Sequence, residues 1–296
     1  MIFVRTESGL SNQRYFFEVD LVAYVEGEKD RRPKLELGSG EAQSRDALFW
    51  SEVITAEKGD IRIHFKELGS KTALLELAQK LDCRAVGRIL ICIDRDFDDF
   101  LPPRSHHRSV VRTYAYSWEA DVWSLQVVAR IVETFLPVAA LPIDERAHLE
   151  QIWGAFYDRI GRFILLDAKF VVLGRPGILD RSSPSSAVLV EKSRPPVINS
   201  PFFRAKLSRV RGDCPRPWGH ALNNRVESDR HLFGKVAMCF GYQVVVYMMR
   251  HLGVGSQMSS ELINSLAIRA FGAGLRNGGA NKQRAYYGQQ LRAAGV

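Results

Sequence analysis

Two short apolar runs, each stopped by an acidic residue, most strongly constrain what this chain can fold into. The first run, Asp20–Glu26 (DLVAYVE), ends at its glutamate, and the second, Arg88–Ile93 (RILICI), is followed directly by Asp94. Continuous apolar runs of this length are typical of strands that are buried on both faces of a sheet. Functional groups of open α/β sheets gather beyond the carboxyl ends of the strands, so the sequence predicts that Glu26 and Asp94 stand there.

Helical patterns alternate with strand patterns through the first half of the chain. We expect further strands at Ile61–Phe65 and Val110–Ala115, and helices at Asp46–Thr55 and Lys71–Leu81, the latter with Ser70 as N-cap. Strands that alternate with helices predict an α/β fold, with a mainly parallel sheet flanked by helices.

The second half of the chain predicts a largely helical region. Helical spacing covers Glu119–Leu136, Asp144–Leu166, Asp229–Leu252 and Ser259–Phe271, the last with Ser259 or Ser260 as N-cap. The Ser- and Pro-rich stretch Ser183–Pro201 predicts a loop or linker. A glycine-rich segment then leads into a basic tail, for which RNA binding, docking on a partner and disorder all stay open. We therefore expect a domain over residues 1–125 and a mostly helical region over residues 126–296.

Positive charge concentrates in one part of the second half. The chain carries a net charge of +8, and residues 204–225 hold six Lys or Arg against one acid. Because Phe202, Phe203 and Trp218 lie among them, this stretch is typical of surfaces that hold phosphates and stack bases. A protein-contact surface is the alternative. The candidate nucleic-acid-binding residues are Arg204, Lys206, Arg209, Arg211 and Arg216.

The expected compartment is the cytoplasm. No apolar run approaches the roughly 18 residues of a membrane span, and the first residues lack the pattern of a signal peptide. The four cysteines are scattered without a paired motif, which argues against structural zinc.

The acidic residues after the apolar runs predict a metal site. Asp94 and Asp96 stand two apart, and on an extended segment their carboxylates point to the same side. Together with Glu26 they offer hard oxygen ligands that suit Mg²⁺ or Mn²⁺. Two such ions activate a water and stabilise the leaving oxygen of a phosphodiester. The alternative for two aspartates after a strand is turn or helix N-cap chemistry.

The order of these motifs resembles the Toprim fold of topoisomerases, primases and OLD-type nucleases. The resemblance rests on VAYVEGEKD (Val22–Asp30), KELGSKTALLEL (Lys66–Leu77) and LICIDRDFDD (Leu90–Asp99). More narrowly, TYAYSWEADVW (Thr113–Trp123) and the later Gly234-Lys235 pair are similar to the DUF4435 group, which includes the toxic effector of the PARIS anti-phage system. The core resemblance covers about residues 15–125, and the helical half matches only loosely.

The resemblance implies a role for each matching acid. Glu26 would be a metal ligand or general base, and Asp94 and Asp96 would be metal ligands. Asp30 matches the second acid that OLD-type nucleases use for another metal. The polar stretch after Asp30 is longer than usual in the family, so Asp46 is an alternative for that second acid.

Further candidates lie outside this core. By resemblance, Glu119 would complete the second metal site, and Lys235 would neutralise charge that develops on the phosphate. For Glu119 the alternative is a favourable interaction with its helix dipole, and for Lys235 it is a solvated surface position. Asp98 and Asp99 are either additional ligands or solvated acids.

The resemblance also implies a function. The chain would be a metal-dependent nuclease that uses two Mg²⁺ or Mn²⁺ ions and cuts RNA, with tRNA as the candidate substrate. A partner ABC-type ATPase would hold it inactive until a phage trigger protein releases it, and we expect the active form to be a homodimer. The alternative is a non-catalytic Toprim module that binds nucleic acid or the ATPase. A primase-like or topoisomerase-like transferase is a third possibility.

Overall fold

The structure, a computed structural model, describes residues 13–27, 44–81, 89–102, 107–137, 140–213, 222, 224–255 and 258–296. By its internal contacts the chain divides into two compact units. Unit 1 comprises residues 1–94, 104–114 and 271–296, and unit 2 comprises residues 95–103 and 115–270. Residues 271–296 thus fall with the first unit, and residues 115–125 fall with the second.

Unit 1 is built on a four-stranded parallel sheet. Its strands are β1 (Leu21–Val25), β2 (Ile63–Glu67), β3 (Ile89–Ile93) and β4 (Val110–Arg112), in the order β2-β1-β3-β4. Every pairing is parallel, which confirms the predicted mainly parallel sheet. Strand β4 is shorter than predicted, because its residues pair with β3 only as far as Arg112.

The two central strands are the most buried, as their continuous apolar sequences predict. All five residues of β1 and of β3 are buried. Helix α1 (Gln13–Phe16) precedes β1 in the chain, and helix α2 (Arg45–Lys58) follows it. Helix α3 (Lys71–Gln79) contributes Leu74 and Ala78 to the core on one face of the sheet. The predicted cap of α3 is confirmed, since the Ser70 hydroxyl accepts a hydrogen bond from the Ala73 N–H at 3.3 Å.

Unit 2 is mostly helical, with one small hairpin. Its elements are α4 (Trp118–Val122), α5 (Leu125–Thr134), α6 (Ile143–Val172), the antiparallel strands β5 (Val188–Leu189) and β6 (Val197–Ile198), α7 (Ser200–Asp213), α8 (Ser228–His231), α9 (Gly234–His251) and most of α10 (Ser260–Asn277). Short 3₁₀ turns cover Asp98–Phe100 and Pro184–Ala187.

Three predictions for this half are corrected by the structure. The predicted single helix over Glu119–Leu136 is two helices, because Ser124 caps α5 and accepts a hydrogen bond from the Val127 N–H. The predicted helix over Asp229–Leu252 is likewise divided into α8 and α9. The predicted loop over Ser183–Pro201 contains the β5–β6 hairpin.

The remaining helix predictions agree with the structure in position. Helix α6 extends the predicted Asp144–Leu166 segment by two turns at its carboxyl end. The Ser259 hydroxyl accepts a hydrogen bond from the Leu262 N–H at 3.2 Å, so Ser259 is the side chain that caps α10. Among the described residues, no helix is both long enough and apolar enough to cross a membrane.

The basic tail forms an ordered helix of unit 1. This helix, α11 (Asn281–Ala293), packs on α2. The buried ring of Tyr287 makes edge contacts with Phe49 and Trp50, with centroid distances of 6.2 and 5.8 Å. Arg284 lies 3.8 Å from the Glu57 carboxylate. Of the three possibilities left open for the tail, disorder is therefore excluded.

Helix α11 also covers one edge of the sheet. Strand β4 is an edge strand, and its inward backbone groups bond to β3. The outward Arg112 N–H donates to Gln290 Oε1 and the outward Tyr114 N–H donates to the Tyr287 hydroxyl, each at 2.9 Å. An edge strand with unpaired backbone N–H and C=O groups can pair with a strand of another chain and aggregate. The Gln290 and Tyr287 side chains prevent this by bonding two of those N–H groups.

Candidate functional site

Glu26 and Asp94 stand immediately beyond the carboxyl ends of the central strands of unit 1. Strands β1 and β3 pair in parallel, with Val25 opposite Cys92, so the residues that follow them emerge at the same edge. The Asp94 N–H donates a hydrogen bond to Glu26 Oε1 at 2.9 Å. Both side chains are partly exposed. The two acids that the apolar runs single out are thus brought together in the fold.

A tight backbone contact fixes the chain just after Glu26. Gly27 and Gly69 form an isolated antiparallel bridge, in which the Gly69 N–H donates to the Gly27 carbonyl oxygen at 3.1 Å. Gly27 has a φ of 139°, which side chains rarely adopt, so glycine is required at this turn. Glu26 is therefore held at the sheet edge between strand β1, which ends at Val25, and the Gly27–Gly69 bridge.

Two further acids lie at this edge of unit 1. A Cβ placed on Gly27 would be 3.7 Å from Glu67 and 4.0 Å from a carboxylate oxygen of Asp46. Asp46, in the first turn of α2, was the alternative second acid from the sequence. Glu67 was missed, although it is the last residue of β2 and so follows the same pattern of a strand that ends in an acid. Asp30 lies outside the described residues.

Asp96 belongs to unit 2, where it occupies a left-handed turn rather than an extended segment. Its φ is 56°, and its N–H donates to the Tyr116 carbonyl oxygen at 2.7 Å. The sequence argument that Asp94 and Asp96 point to the same side assumed extended backbone, and that assumption is wrong at Asp96. Left-handed backbone at a residue other than glycine is uncommon and tends to occur at functional sites.

Asp99 is an ion-pair centre in unit 2. Its carboxylate lies 2.5 Å from Arg95, 2.8 Å from Arg230 and 3.3 Å from His231. Burial alone would raise the pKa of Asp99, but the His231 hydrogen bond and the two guanidinium charges outweigh it and lower the pKa from 3.8 to about 2. Asp99 therefore holds the turn at Asp98–Phe100 in place through these ion pairs. The sequence had predicted that it was either a metal ligand or a solvated acid.

The Ser-Trp-Glu and Gly-Lys motifs meet in unit 2. Glu119 is buried and accepts a hydrogen bond from the Ser117 hydroxyl. Helix α9 begins at Gly234, where a Cβ would lie 2.8 Å from Glu119 Oε2 and would overlap the Ser117 hydroxyl. Glycine is thus needed for this close approach. The sequence motifs, 115 residues apart, are in contact because of the fold.

The position of Glu119 agrees with an interaction with a helix dipole. Its carboxylate lies beside the first residue of α9, an 18-residue helix with no acid in its first turn and no side-chain N-cap. The amino-terminal end of such a helix favours a negative charge. Lys235, the second residue of α9, has an exposed side chain. A catalytic role for either residue remains a prediction.

The basic stretch forms helix α7 over the part that the structure describes. Arg204 and Arg209 are exposed, whereas Lys206 lies 3.2 Å from the Asp180 carboxylate. Arg211 is on the same helix, with its side chain outside the described atoms, and Arg216 lies outside the described residues. Phe203 is not available to stack on a base, because its ring is fully buried and stacks on Phe163 at 3.9 Å.

The described residues do not contain a preformed metal-binding site. Among them, no group of three or more His, Cys, Asp or Glu side chains is arranged to hold a metal ion. The hard oxygen donors of Glu26 and Asp94 nevertheless fit Mg²⁺ or Mn²⁺ in chemical type. No protein-family model matches the chain, and no curated protein matches its sequence significantly.

Proposed function

We propose that the chain is a metal-dependent phosphodiesterase of the Toprim type that cleaves nucleic acid. The observation that carries this proposal is the pair Glu26 and Asp94, joined by a 2.9 Å hydrogen bond at the carboxyl edge of the two central strands. Open parallel sheets bind their ligands and place their catalytic residues beyond the carboxyl ends of the strands, which is where these two acids lie. A bound Mg²⁺ or Mn²⁺ would supply an activated water and a positive charge for the phosphate.

Each acid has a distinct part in this proposal. Glu26 and Asp94 would hold an ion at the edge of the sheet of unit 1. The motif resemblance implies Asp96 as a further ligand, Asp30 or Asp46 as the acid for a second ion, and Glu119 as another candidate for that ion. The position of Asp46 near Gly27, at the same edge as Glu26, supports it as the ligand in place of Asp30. The hydrogen bond from the Asp94 N–H restricts the Glu26 carboxylate, which reduces the entropy that metal binding would otherwise cost.

The proposed substrate is RNA, with tRNA as the candidate. The support is the basic helix α7, on which Arg204 and Arg209 present exposed guanidinium groups. Guanidinium groups bind phosphate oxygens and contribute the larger part of affinity for nucleic acids at low salt. Lys235 would act on the phosphate from the start of α9.

We further propose that the cleavage serves anti-phage defence as a toxic effector. Support for this role comes from the motif resemblance, which implies a partner ABC-type ATPase and release upon a phage trigger. In an active homodimer, the basic helix α7 of each protomer could bind the same folded RNA. Mass measurement and cleavage assays of the chain alone and with such an ATPase test this control. A monomer that is fully active, or a complex that cuts as well as the free chain, would contradict it.

The direct test of the chemistry uses Glu26→Gln and a mixed pool of RNA and DNA with Mg²⁺ or Mn²⁺. The amide oxygen still accepts the hydrogen bond from the Asp94 N–H, so the fold is expected to stay intact while the charge is lost. Glu76→Gln is a matched control, because Glu76 is an exposed residue of α3 in the same unit. We expect cleavage by wild type and Glu76→Gln and none by Glu26→Gln. Full activity of Glu26→Gln would contradict the assignment.

The second candidate function is a non-catalytic module that binds nucleic acid or the ATPase. The observation in its favour is that the exposed Arg204 and Arg209 of α7 would bind phosphates equally well in a protein that does not cleave them. The same experiment separates the two functions. A wild-type protein that shifts RNA in a gel but leaves it intact with either metal would support the module.

A further inference from the structure

Three consecutive aromatic residues of unit 1, Tyr15, Phe16 and Phe17, form an exposed patch that we call the aromatic patch. Tyr15 and Phe16 end helix α1, and Phe17 follows directly. Phe16 is 80% exposed, Tyr15 is 61% exposed and Phe17 is 40% exposed. Single apolar side chains on a surface need no explanation, but a contiguous exposed patch of them is typical of a binding surface.

Phe17 attaches the aromatic patch to strand β2. Its ring stacks on the His64 ring, with a centroid distance of 3.9 Å and an angle of 10° between the planes. The Lys66 Nζ lies 4.4 Å from the centre of the same Phe17 ring. An ammonium group over an aromatic face is a favourable contact. Phe17 is therefore held by two side chains of β2, and the more exposed rings of Tyr15 and Phe16 precede this fixed point in the chain.

The lysine distinguishes the aromatic patch from an ordinary protein-contact surface. Protein interfaces are enriched in aromatic residues but depleted in lysine, whereas surfaces for unpaired nucleic acid combine aromatic rings with cations that hold phosphates. Two acids follow the patch in the chain. Glu18 is exposed, and Asp20 is paired with Arg62, whose backbone N–H donates to its carboxylate at 3.0 Å. The chemistry of rings beside Lys66 therefore fits nucleotides better than an apolar protein surface.

The aromatic patch adjoins the edge of the sheet at which Glu26 lies. In the register of β1 and β2, Lys66 is opposite Tyr24, which is two residues before Glu26. Because a strand rises about 3.3 Å per residue, Lys66 lies about 7 Å before Glu26 along the strand direction. These residues all belong to unit 1. A nucleic acid with one phosphodiester at Glu26 would therefore have neighbouring nucleotides within reach of Lys66 and the patch.

We propose that the aromatic patch binds the bases of an unpaired RNA segment beside the acids of unit 1. The bases would stack on Phe16 and Tyr15, and Lys66 would contact an adjoining phosphate. Stacking of this kind accepts every base, because each has a flat aromatic face. Unpaired bases can turn outward to stack on protein rings, whereas paired bases stay within their duplex. The inference rests on the proposed function, for which it names an unpaired strand as the class of substrate.

The test measures binding of a short fluorescein-labelled oligouridine to the full-length protein by fluorescence anisotropy, in EDTA so that metal-dependent cleavage does not interfere. Phe16→Leu keeps an apolar side chain without a ring, and Phe16→Trp keeps a ring. Loss of one stacked base should raise the Kd of Phe16→Leu by about 5- to 100-fold, and Phe16→Trp should bind as wild type does. Ile143→Ala is the control, because Ile143 is an 87% exposed apolar residue of unit 2.

A salt titration tests the phosphate contact separately from stacking. Each phosphate contact of a single strand adds about 0.7 to the slope of the logarithm of affinity against the logarithm of salt concentration. Lys66→Gln should therefore make this slope shallower by about 0.7, while Phe16→Leu leaves it unchanged. Lys80→Gln, at an exposed position after α3, is the matched control and should keep the wild-type slope. An unchanged slope in Lys66→Gln would overturn the phosphate contact.

A duplex of the same length tests whether the strand must be unpaired. Phe16→Leu should weaken binding of the oligouridine and leave binding of the duplex as in wild type. Equal losses for both probes, or an equal loss in Phe16→Trp, would show that stacking is not the cause and would overturn the proposal. Thermal unfolding of each variant verifies that the measurements are made on folded protein.

The outcomes separate this inference from the function on which it rests. If wild type does not bind the oligouridine, or Phe16→Leu binds it as tightly as wild type, the aromatic patch is not an RNA site. Cleavage measured with Mn²⁺ then still decides the proposed function by itself. If binding depends on Phe16 but wild type cuts no nucleic acid with either metal, the proposed function fails and the aromatic patch stands as a site for unpaired nucleotides.

Discussion

The hydroxyl of Tyr287 accepts a hydrogen bond from the backbone N–H of Tyr114 at 2.9 Å, so the C-terminal helix completes the bonding of an edge strand near the middle of the chain. Tyr287→Phe should leave that N–H without its acceptor while keeping the ring packed against Trp50. We expect the free energy of unfolding to fall by about 1–2 kcal/mol. Urea unfolding measures this change. Tyr242→Phe is the control and should change little, because the Tyr242 hydroxyl makes only a long bond, at 3.4 Å, to the Met258 carbonyl oxygen.

Gly234 provides a test of the contact between α9 and the Ser117–Glu119 turn. Gly234→Ala places a Cβ 2.8 Å from Glu119 Oε2, so Ser117 and Glu119 must move. We expect a loss of about 1–3 kcal/mol in unfolding free energy. Gly154→Ala, within α6 where nothing lies within 4 Å of the new Cβ, should instead gain about 0.5–1 kcal/mol. Equal effects of the two substitutions would argue against the contact.

Asp99 predicts a specific loss of stability in acid. Its pKa is lowered from 3.8 to about 2 in the folded protein, so its stabilising effect is complete above 3.8 and is lost as the pH falls towards about 2. The shift corresponds to about 2 kcal/mol. Urea unfolding between pH 5 and pH 2 should show a steeper decline for wild type than for Asp99→Asn.

The sheet and the Glu26–Asp94 pair could be predicted from the sequence because local patterns determine them. Continuous apolar runs identify β1 and β3, and a parallel sheet brings the residues after both strands to one edge. Ser70 as a cap follows equally from local hydrogen bonding.

Other features depend on contacts between distant residues, and no local pattern of residues indicates them. The left-handed turn at Asp96 is held by the Tyr116 carbonyl oxygen, although the aspartate alone is compatible with extended backbone. Phe203 is in a basic, aromatic stretch, yet its ring is buried against Phe163. The bond between Tyr287 and Tyr114 joins residues 173 positions apart. Charge and composition therefore do not distinguish a buried ring from an exposed one, and they left the helical structure of the tail open.

We propose that Asp94, beside Glu26, binds a metal ion that is required for phosphodiester cleavage. The test is the initial rate of RNA cleavage as a function of Mn²⁺ concentration, for wild type, Asp94→Asn and the control Glu76→Gln, an exposed position of α3. We predict that wild type and Glu76→Gln show a saturable dependence that EDTA abolishes. Asp94→Asn should need at least tenfold more Mn²⁺ or show no cleavage, because an amide supplies oxygen without the negative charge. Cleavage that persists in EDTA, or an Asp94→Asn curve that overlays wild type, would contradict the account.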